Sequence, residues 1–572
     1  MLIEYLDDGS FDFGTGFFDE EGIFEADGTA STPTNLDLFN PSTGVSVSLI
    51  GINFPNTPDP TIEEIESATL TEILFSSQGQ DQMRVSDISW NLLDFLVGLF
   101  EIEFEGSFST LTALFDQSDV ITIDGTGASS GVDMSASFQP FEELLSTPFD
   151  IIGLSSQGNN LFGATGHDNV SGGEENDTIV GGDGNDTLLG KNGEDSLVGG
   201  EGQDELFGAD GNDTILGDDG DDLLGGASGS DNLFGGDGRD TLFGGDENDT
   251  LDGGDGDDNV SGGNGDDVIV ASQGRDQVNG NAGNDTINYS GAGSAVTVKL
   301  HKDTAVSATY EDSIQDIENV IGTDFDDKLV GDIGDNELWS GAGNDTINNL
   351  GGNDTIHTGT GEDFVLGSSD GEQVILGNGD DVARTRGGND LIEAGEGNDT
   401  LAGNGGEDTA FGDDGDDTFF MGSQNDTAFG GAGADTINGG FNADVLDGGA
   451  DDDRVRGEAG MDQLNGGDGN DLLVGGANAD TFWFFDTDAT GVDRITDFQD
   501  GLDTINLSDW GFASDADVFA LASMAGGANQ HTRIDFTDGS GGEVRALVIE
   551  NLDISDFDAS DFLLTGSDPF VF

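Results

Sequence analysis

Aspartate recurs at one fixed interval through much of this 572-residue chain, and evenly spaced carboxylates are the raw material of a metal site. Stepping by nine from Asp168 meets Asp177, Asp186, Asp195, Asp204, Asp213, Asp222, Asp231, Asp240, Asp249, Asp258, Asp267, Asp276 and Asp285 without an exception. A second series begins at Asp327 and continues through Asp345, Asp354, Asp363, Asp381, Asp390, Asp399, Asp408, Asp417, Asp426, Asp435, Asp444, Asp453, Asp462, Asp471 and Asp480. Only Asn336 and Glu372 interrupt it. Two residues after every position in both series stands an apolar side chain, from Val170 to Ile287 and from Leu329 to Phe482. The phase also reaches upstream to Asn159 with Leu161 and to Asp150 with Ile152.

The residues around each aspartate say what must hold it. Six residues of the form GGxGxD precede a triplet whose middle member is apolar. Full examples lie at 181–186, 199–204, 235–240, 253–258, 262–267, 430–435 and 466–471. Glycine reaches positive φ at little cost and lets backbones approach, so the six residues suit a turn. The triplet suits a very short strand with one side chain inward. Two such units close a coil of 18 residues, and coils stacked about 4.8 Å apart form two parallel sheets over a thin apolar core. One coil cannot bury its own core face, so the array is stable only when stacked. The expected fold is all-β dominated: a parallel β-roll (a β-solenoid), with an N-terminal mixed domain and a C-terminal β-rich cap.

Stacking creates an electrostatic demand. Aspartates 18 apart fall in one column, so Asp168, Asp186 and Asp204 share one edge and Asp177, Asp195 and Asp213 the other. Carboxylates about 5 Å apart at an effective dielectric of about 20 repel by roughly 3 kcal/mol per pair. Over a whole column that exceeds the stability of an ordinary domain. A cation between coils removes the conflict, and hard oxygen donors in irregular geometry select calcium over magnesium. Loop carbonyls complete the shell, and the glycines expected beside them are Gly182, Gly184, Gly200, Gly202, Gly236, Gly238, Gly254, Gly256, Gly263, Gly265, Gly431, Gly433, Gly467 and Gly469.

Composition agrees. There are 118 acidic residues against 14 Lys plus Arg, a formal charge of −104, which argues against nucleic acid and anionic membrane surfaces as partners. No cysteine is present, so disulfides and thiolate metal sites are excluded. Such a composition also suits acidic disorder. Disorder gives no reason to hold Ile, Leu and Val at one phase, and it is the state expected without calcium.

The nonapeptide GGDGNDTLL at 181–189 resembles the repeats-in-toxin (RTX) calcium-binding repeat. The resemblance covers about residues 150–480. It implies that many Ca²⁺ ions are held by the aspartates of successive coils and by loop carbonyls. Asn336 and Glu372 fall in one column, and the loops MGSQND (421–426) and RTRGGND (384–390) are poor, so sites there should be weak or empty. Residues 483–572 resemble the cap and uncleaved type I secretion signal of RTX exoproteins, ending in Asp568-Pro569-Phe570-Val571-Phe572. The N-terminal stretch has no Sec-type apolar core, and no run is apolar enough to span a membrane. The expected setting is extracellular, the expected partners a type I exporter and a cell-surface or matrix component.

The expected organisation is an N-terminal domain to 145, a first array over 146–287, an insert at 288–323 of wider coils, a second array over 324–482 and the cap. Residues 1–145 mix strand-like runs (GVSVSLIGINF, DVITIDG) with short helices expected at 91–100 and 107–115. Catalytic chemistry is sparse. No HExxH occurs, and GASSG at 127–131 puts Ser129 in a nucleophile-like setting with no evident base. The four histidines are His167, His301, His357 and His531, none before residue 167. The reading is a non-enzymatic, secreted calcium-binding protein with a structural or surface-interaction role. The alternatives are a secreted enzyme with a cryptic N-terminal catalytic part, or an adhesin or surface-layer component.

Overall fold

The computed structural model describes residues 158–485, 491–525, 531–537, 543–552 and 556–564, Pro569, and the backbone of nine strands before residue 153. Of the helix expected at 91–100, Asn91 ends the strand Gln80–Asn91 and the remainder lies outside the described set, as do the helix expected at 107–115, Ser129 and four of the last five residues. Two compact units divide the chain, Met1–Asp285 and Thr286–Phe572.

In the first unit each repeat strand pairs in parallel with the strand one coil on. Ile179 lies opposite Leu197 and Leu197 opposite Ile215 in one sheet; Leu188 lies opposite Leu206 in the other. The apolar residue of each triplet supplies the core, and Ile179, Leu188, Leu197, Leu206 and Ile215 are all 0% exposed. Full burial of such a side chain is worth about 1.5–3 kcal/mol, repeated at every half-coil. The strands are longer than three residues. Thr178–Asp183, Thr187–Asn192 and Ser196–Glu201 each run six, because the glycine pair of one turn hydrogen-bonds with the pair below it (Gly182 opposite Gly200). Glycine permits this register: Gly202 has φ +150°, and a Cβ on it would collide with the Gly184 carbonyl.

The upstream phase holds for one half-coil and then slips. Strand Asn160–Thr165 sets Leu161 opposite Ile179. Strand Phe149–Ile152, however, sets Asp150 opposite Asn169 and Ile151, not Ile152, opposite Val170. Residues 153–158 lack the GGxGxD phrase, so nothing fixes the turn length, and a slip of one residue exchanges the two faces of a strand. Earlier strands are antiparallel neighbours (Asn35–Asn40, Val45–Ile50, Thr69–Ser77, Gln80–Asn91), and Ile121–Asp124 joins Phe149–Ile152 in parallel. The strand-like runs of the N-terminal region thus pair into the same sheet as the first coils.

The second unit opens with a single widened coil. Thr286–Asn288 pairs with Asn319–Ile321, and Thr297–Lys299 with Lys328–Val330, both in parallel. Between them Thr304–Val306 and Glu311–Gln315 form an antiparallel excursion, entered through the 3₁₀ turn Leu300–Lys302 and the left-handed residue Asp303 (φ 57°). The extra residues are accommodated by a hairpin hung on one coil. Regular coils follow to Thr481–Trp483. Both sheets then continue with irregular spacing: Gly491–Ile495 on Leu472–Ala477, Thr504–Asn506 on Thr481–Trp483, and Phe562–Leu563 on Thr504–Asn506. Glu543–Ile549 adds in parallel to Gly491–Ile495, and His531–Thr537 and Ala522–Ala525 complete an antiparallel edge. The β-rich C-terminal cap is therefore an extension of the coils. Among the described residues no helix is long and apolar enough to cross a membrane.

Candidate metal centre

Each column aspartate closes a turn and begins the next strand, which buries it beside the core. Asp186, Asp204 and Asp213 are 1%, 1% and 0% exposed. The two carboxylate oxygens have different fates. One is tied to the backbone of the coil before: Asp186 Oδ1 accepts from the Asp168 amide at 2.7 Å, Asp204 Oδ1 from Asp186 at 2.7 Å, and Asp222 Oδ1 from Asp204 at 2.8 Å. The other column repeats the pattern at Asp195 and Asp213, both 2.7 Å. The second unit does the same at Asp363, Asp417 and Asp435, all 2.7 Å. The remaining oxygen, Oδ2, is buried without a hydrogen-bond partner in the protein from Asp186 to Asp267 and from Asp399 to Asp480.

Glycine makes room for that oxygen. A Cβ on Gly181 would strike Asp186 Oδ2, and one on Gly430 would strike Asp435 Oδ2. Every loop glycine singled out from the sequence, from Gly182 and Gly184 to Gly467 and Gly469, adopts positive φ. Among the described residues no three His, Asp or Glu side chains converge on one point. A cation at an orphaned Oδ2 would therefore take few carboxylates and fill its shell from backbone carbonyls, an oxygen-only set that fits calcium.

Burial governs the electrostatics. It raises Asp195, Asp240 and Asp417 from 3.8 to about 7, and Asp444 to about 8, against backbone hydrogen bonds that pull the other way. Like-charged neighbours in the column add to the rise, as Asp177 and Asp213 do for Asp195. At neutral pH these groups ionise only at a cost that an adjacent cation removes.

The calcium-binding nonapeptide repeat of RTX proteins matches residues 162–291 and 321–482 in nine blocks, some of them overlapping, a little over half of the chain. The chain belongs to the RTX calcium-binding repeat family. RTX nonapeptides bind Ca²⁺, and the β-roll they build is a non-catalytic element. No curated protein matches the chain. Among solved structures, the AlgE6R2 subunit of the mannuronan C5-epimerase of Azotobacter vinelandii is 21% identical, over 31% of this chain and 94% of that one, with a TM-score of 0.19. The extracellular lipase LipA of Serratia marcescens is 14% identical over 57% of this chain and 40% of that one, with a TM-score of 0.14.

Departures from the RTX phrase have a structural consequence that their sequence only half shows. Asn336 offers no orphaned oxygen: its Oδ1 accepts from the Asp332 amide at 2.9 Å and its Nδ2 donates to the Glu318 carbonyl at 2.9 Å. In the same column Asn349 replaces the first glycine of its turn, and its amide donates to the Asp354 carboxylate and, at 3.3 Å, to Glu372. Ser368 also donates to Glu372, whose carboxyl is raised by burial and by Asp390. Thr385 stands in place of the first glycine of the Asp390 turn and is fully buried. Protein donors thus answer Asp354 and one oxygen of Glu372, while Glu372 Oε2 and Asp390 Oδ2 stay buried without a partner; the strands Thr346–Asn348, Phe364–Leu366 and Val382–Arg384 fall back to three residues. The opposite column keeps orphaned oxygens at Asp345, Asp363 and Asp381.

Sequence reasoning missed the ends of the columns. The Asp471 amide donates to Asp493 Oδ1 at 3.2 Å, and the Asp480 amide to Asp503 Oδ1 at 3.1 Å, so each column runs one aspartate further. The signal was present, since Asp493 and Asp503 each stand two residues before an isoleucine, but their spacings of 22 and 23 leave the nine-residue ruler. Asp327 lies at a column start with both oxygens engaged, by the Val296 and Thr323 amides at 2.7 and 2.6 Å.

Two outcomes follow. Calcium anomalous scattering from crystals should place ions beside the carboxylates from Asp186 to Asp267 and from Asp408 to Asp480, with Asp426 included despite its poor loop because its Oδ2 is orphaned like those of its neighbours, and none beside Asn336 or Asp354; an ion at either of those two would contradict the filled-turn account. The second concerns pH. Raised carboxyls bind protons more tightly in the folded roll than in the unfolded chain, so without metal the roll gains stability as pH falls from about 7 towards about 4 and loses it as pH rises through about 7. Far-UV dichroism in chelator should show β structure growing on acidification across that window; a flat or opposite response would count against it.

Proposed function

We propose that this chain is an exported protein whose roll folds on extracellular calcium and then serves a structural or surface-interaction role without catalysis. The observation that carries the reading is the run of buried carboxylate oxygens that the protein itself leaves unpartnered, from Asp186 to Asp267 and again from Asp399 to Asp480. The column aspartates, with the loop carbonyls beside their glycines, are the assigned ligands. Extracellular modules of this kind bind calcium at about 10⁻⁴–10⁻³ M, far above cytosolic levels. In the cytosol the uncompensated charge of −104 keeps the chain extended. Outside, each site at ten times its dissociation constant adds about 1.4 kcal/mol, and many coupled sites decide the fold.

Free calcium in the millimolar range should convert the full chain to a β spectrum in far-UV dichroism, with chelator reversing it; a complete β spectrum in excess chelator at neutral pH would sink the folding claim. Export supplies a separate check. The resemblance of the C-terminal region to a type I signal supports passage through such an exporter. Deleting residues 510–572 should keep the protein in the cell pellet, while deleting 1–145 should leave it in the medium. Normal export of the first truncation would refute the assigned route and leave the calcium reading standing.

A further inference from the structure

One step of one column carries its own positive charge. Asp493 Oδ2, the atom that most column aspartates leave orphaned, accepts from Arg545 Nε at 2.8 Å and from Nη2 at 2.7 Å. Nη2 also donates to the Gly467 carbonyl at 3.0 Å. Both side chains are 0% exposed, and the guanidinium carbon lies 5.0 Å from the centre of the Phe484 ring. Gly467 is the second glycine of the turn that ends in Asp471, and the Asp471 amide is bound by Asp493 Oδ1. The guanidinium therefore bridges a column carboxylate and a loop carbonyl of the coil before it, which are the two kinds of oxygen a metal ion would need there.

The opposite column ends in a related way with a neutral donor. Gln499 Nε2 donates to the carbonyl of Gly476, the equivalent glycine of the Asp480 turn, at 2.7 Å, and the Gln499 amide holds Asp503 Oδ2 at 2.7 Å. Both final steps are thus closed by groups of the chain. Of the two, the Asp493 step is the one closed by a charge, and a charge is what a buried, ionised carboxylate requires.

We propose that Arg545 is the built-in cation of the step between Asp471 and Asp493: its guanidinium neutralises the carboxylate oxygen that other steps leave for a metal ion, so this step takes no calcium. The inference rests on the calcium reading of the columns. It also explains why a chain with only 14 basic residues buries an arginine completely, 52 residues from its partner in sequence. Strand Glu543–Ile549 is fastened to Gly491–Ile495, and through Asp493 to the last regular turn of its column, by a bond independent of free calcium.

The test uses the full chain. Native mass spectrometry at saturating calcium should find one more ion on Arg545→Ala than on the wild type, and no extra ion on Arg545→Lys or on the double variant Asp493→Asn/Arg545→Ala. Hydrogen exchange should show the calcium midpoint of Gly491–Ile495 and Glu543–Ile549 rising by about threefold or more in Arg545→Ala, as expected when folding becomes linked to an added ion. The double variant should stay near wild type there, and Thr178–Asp183 should not move in any variant. An unchanged ion count with unshifted midpoints in Arg545→Ala overturns the proposal. So does a cap that remains unprotected at every calcium concentration in that variant. Failure of the underlying reading looks different, since the wild type itself would then bind no calcium, and the assignment of Arg545 would fall with it.

Discussion

The rest of the structure depends on one hydrogen bond repeated from coil to coil: the amide of a column aspartate donates to the carboxylate of the next aspartate in that column. This bond fixes the 18-residue register, because the carboxylate must reach back to the same place each time. It also determines the chemistry. Tying Oδ1 to the backbone orients the group so that Oδ2 points into the turn, where the first glycine leaves space and no protein group answers. A carboxylate committed in this way cannot be neutralised by a rotamer change. Its charge must be met by a proton, a metal ion or a basic side chain. The raised carboxyls, the oxygen-only surroundings and Arg545 illustrate the three solutions in turn.

Apolar packing alone does not account for the fold. Each half-coil buries one apolar side chain, most often Ile, Leu or Val, yet nearly every one also buries a carboxylate. In a solenoid these contributions add coil by coil, with coupling only between neighbours. Local sequence changes therefore have local consequences. The hairpin between Lys299 and Asn319 widens one coil and leaves the flanking pairings parallel. Asn349 satisfies Asp354 and Ser368 one oxygen of Glu372 with neutral donors, while the neighbouring steps keep their orphaned oxygens. The array can thus be tuned step by step between places that call for calcium and places that do not.

Two of the four histidines lie inside the repeats. His357 stacks on Trp339 with ring centroids 3.7 Å apart, on the outward side of a strand, and His167 meets the Asn185 amide in a turn. Each is a packing element of a repeat. The RTX array accounts for most of the described residues, and its work is to bind ions and take shape.

The roll was legible in the sequence because its determinants are local and repeated. Aspartate at every ninth position, an apolar residue two later and glycine between them fix turn, strand and core without reference to distant residues, and the expected columns are the observed ones. What sequence could not decide depends on contacts that break the period. The slip at Asp150 arises where no glycine phrase sets the turn length. The extra column members Asp493 and Asp503 keep the aspartate-then-isoleucine signal, but their longer loops hide the register. The neutral closure of Asp354 comes from Asn349 in its own turn, where the missing glycine was the signal, but the atoms it reaches are seen only in the folded turn. Arg545 lies 52 residues from Asp493, and nothing in the intervening chain marks it as a partner. The sequence by itself determined the repeat, its columns and its need for positive charge, because those follow from nearest-neighbour stacking. The tertiary structure alone decided which steps meet that need with the chain's own atoms, because that depends on which donors the folded turns bring to each carboxylate and, for Arg545, on a contact across 52 residues.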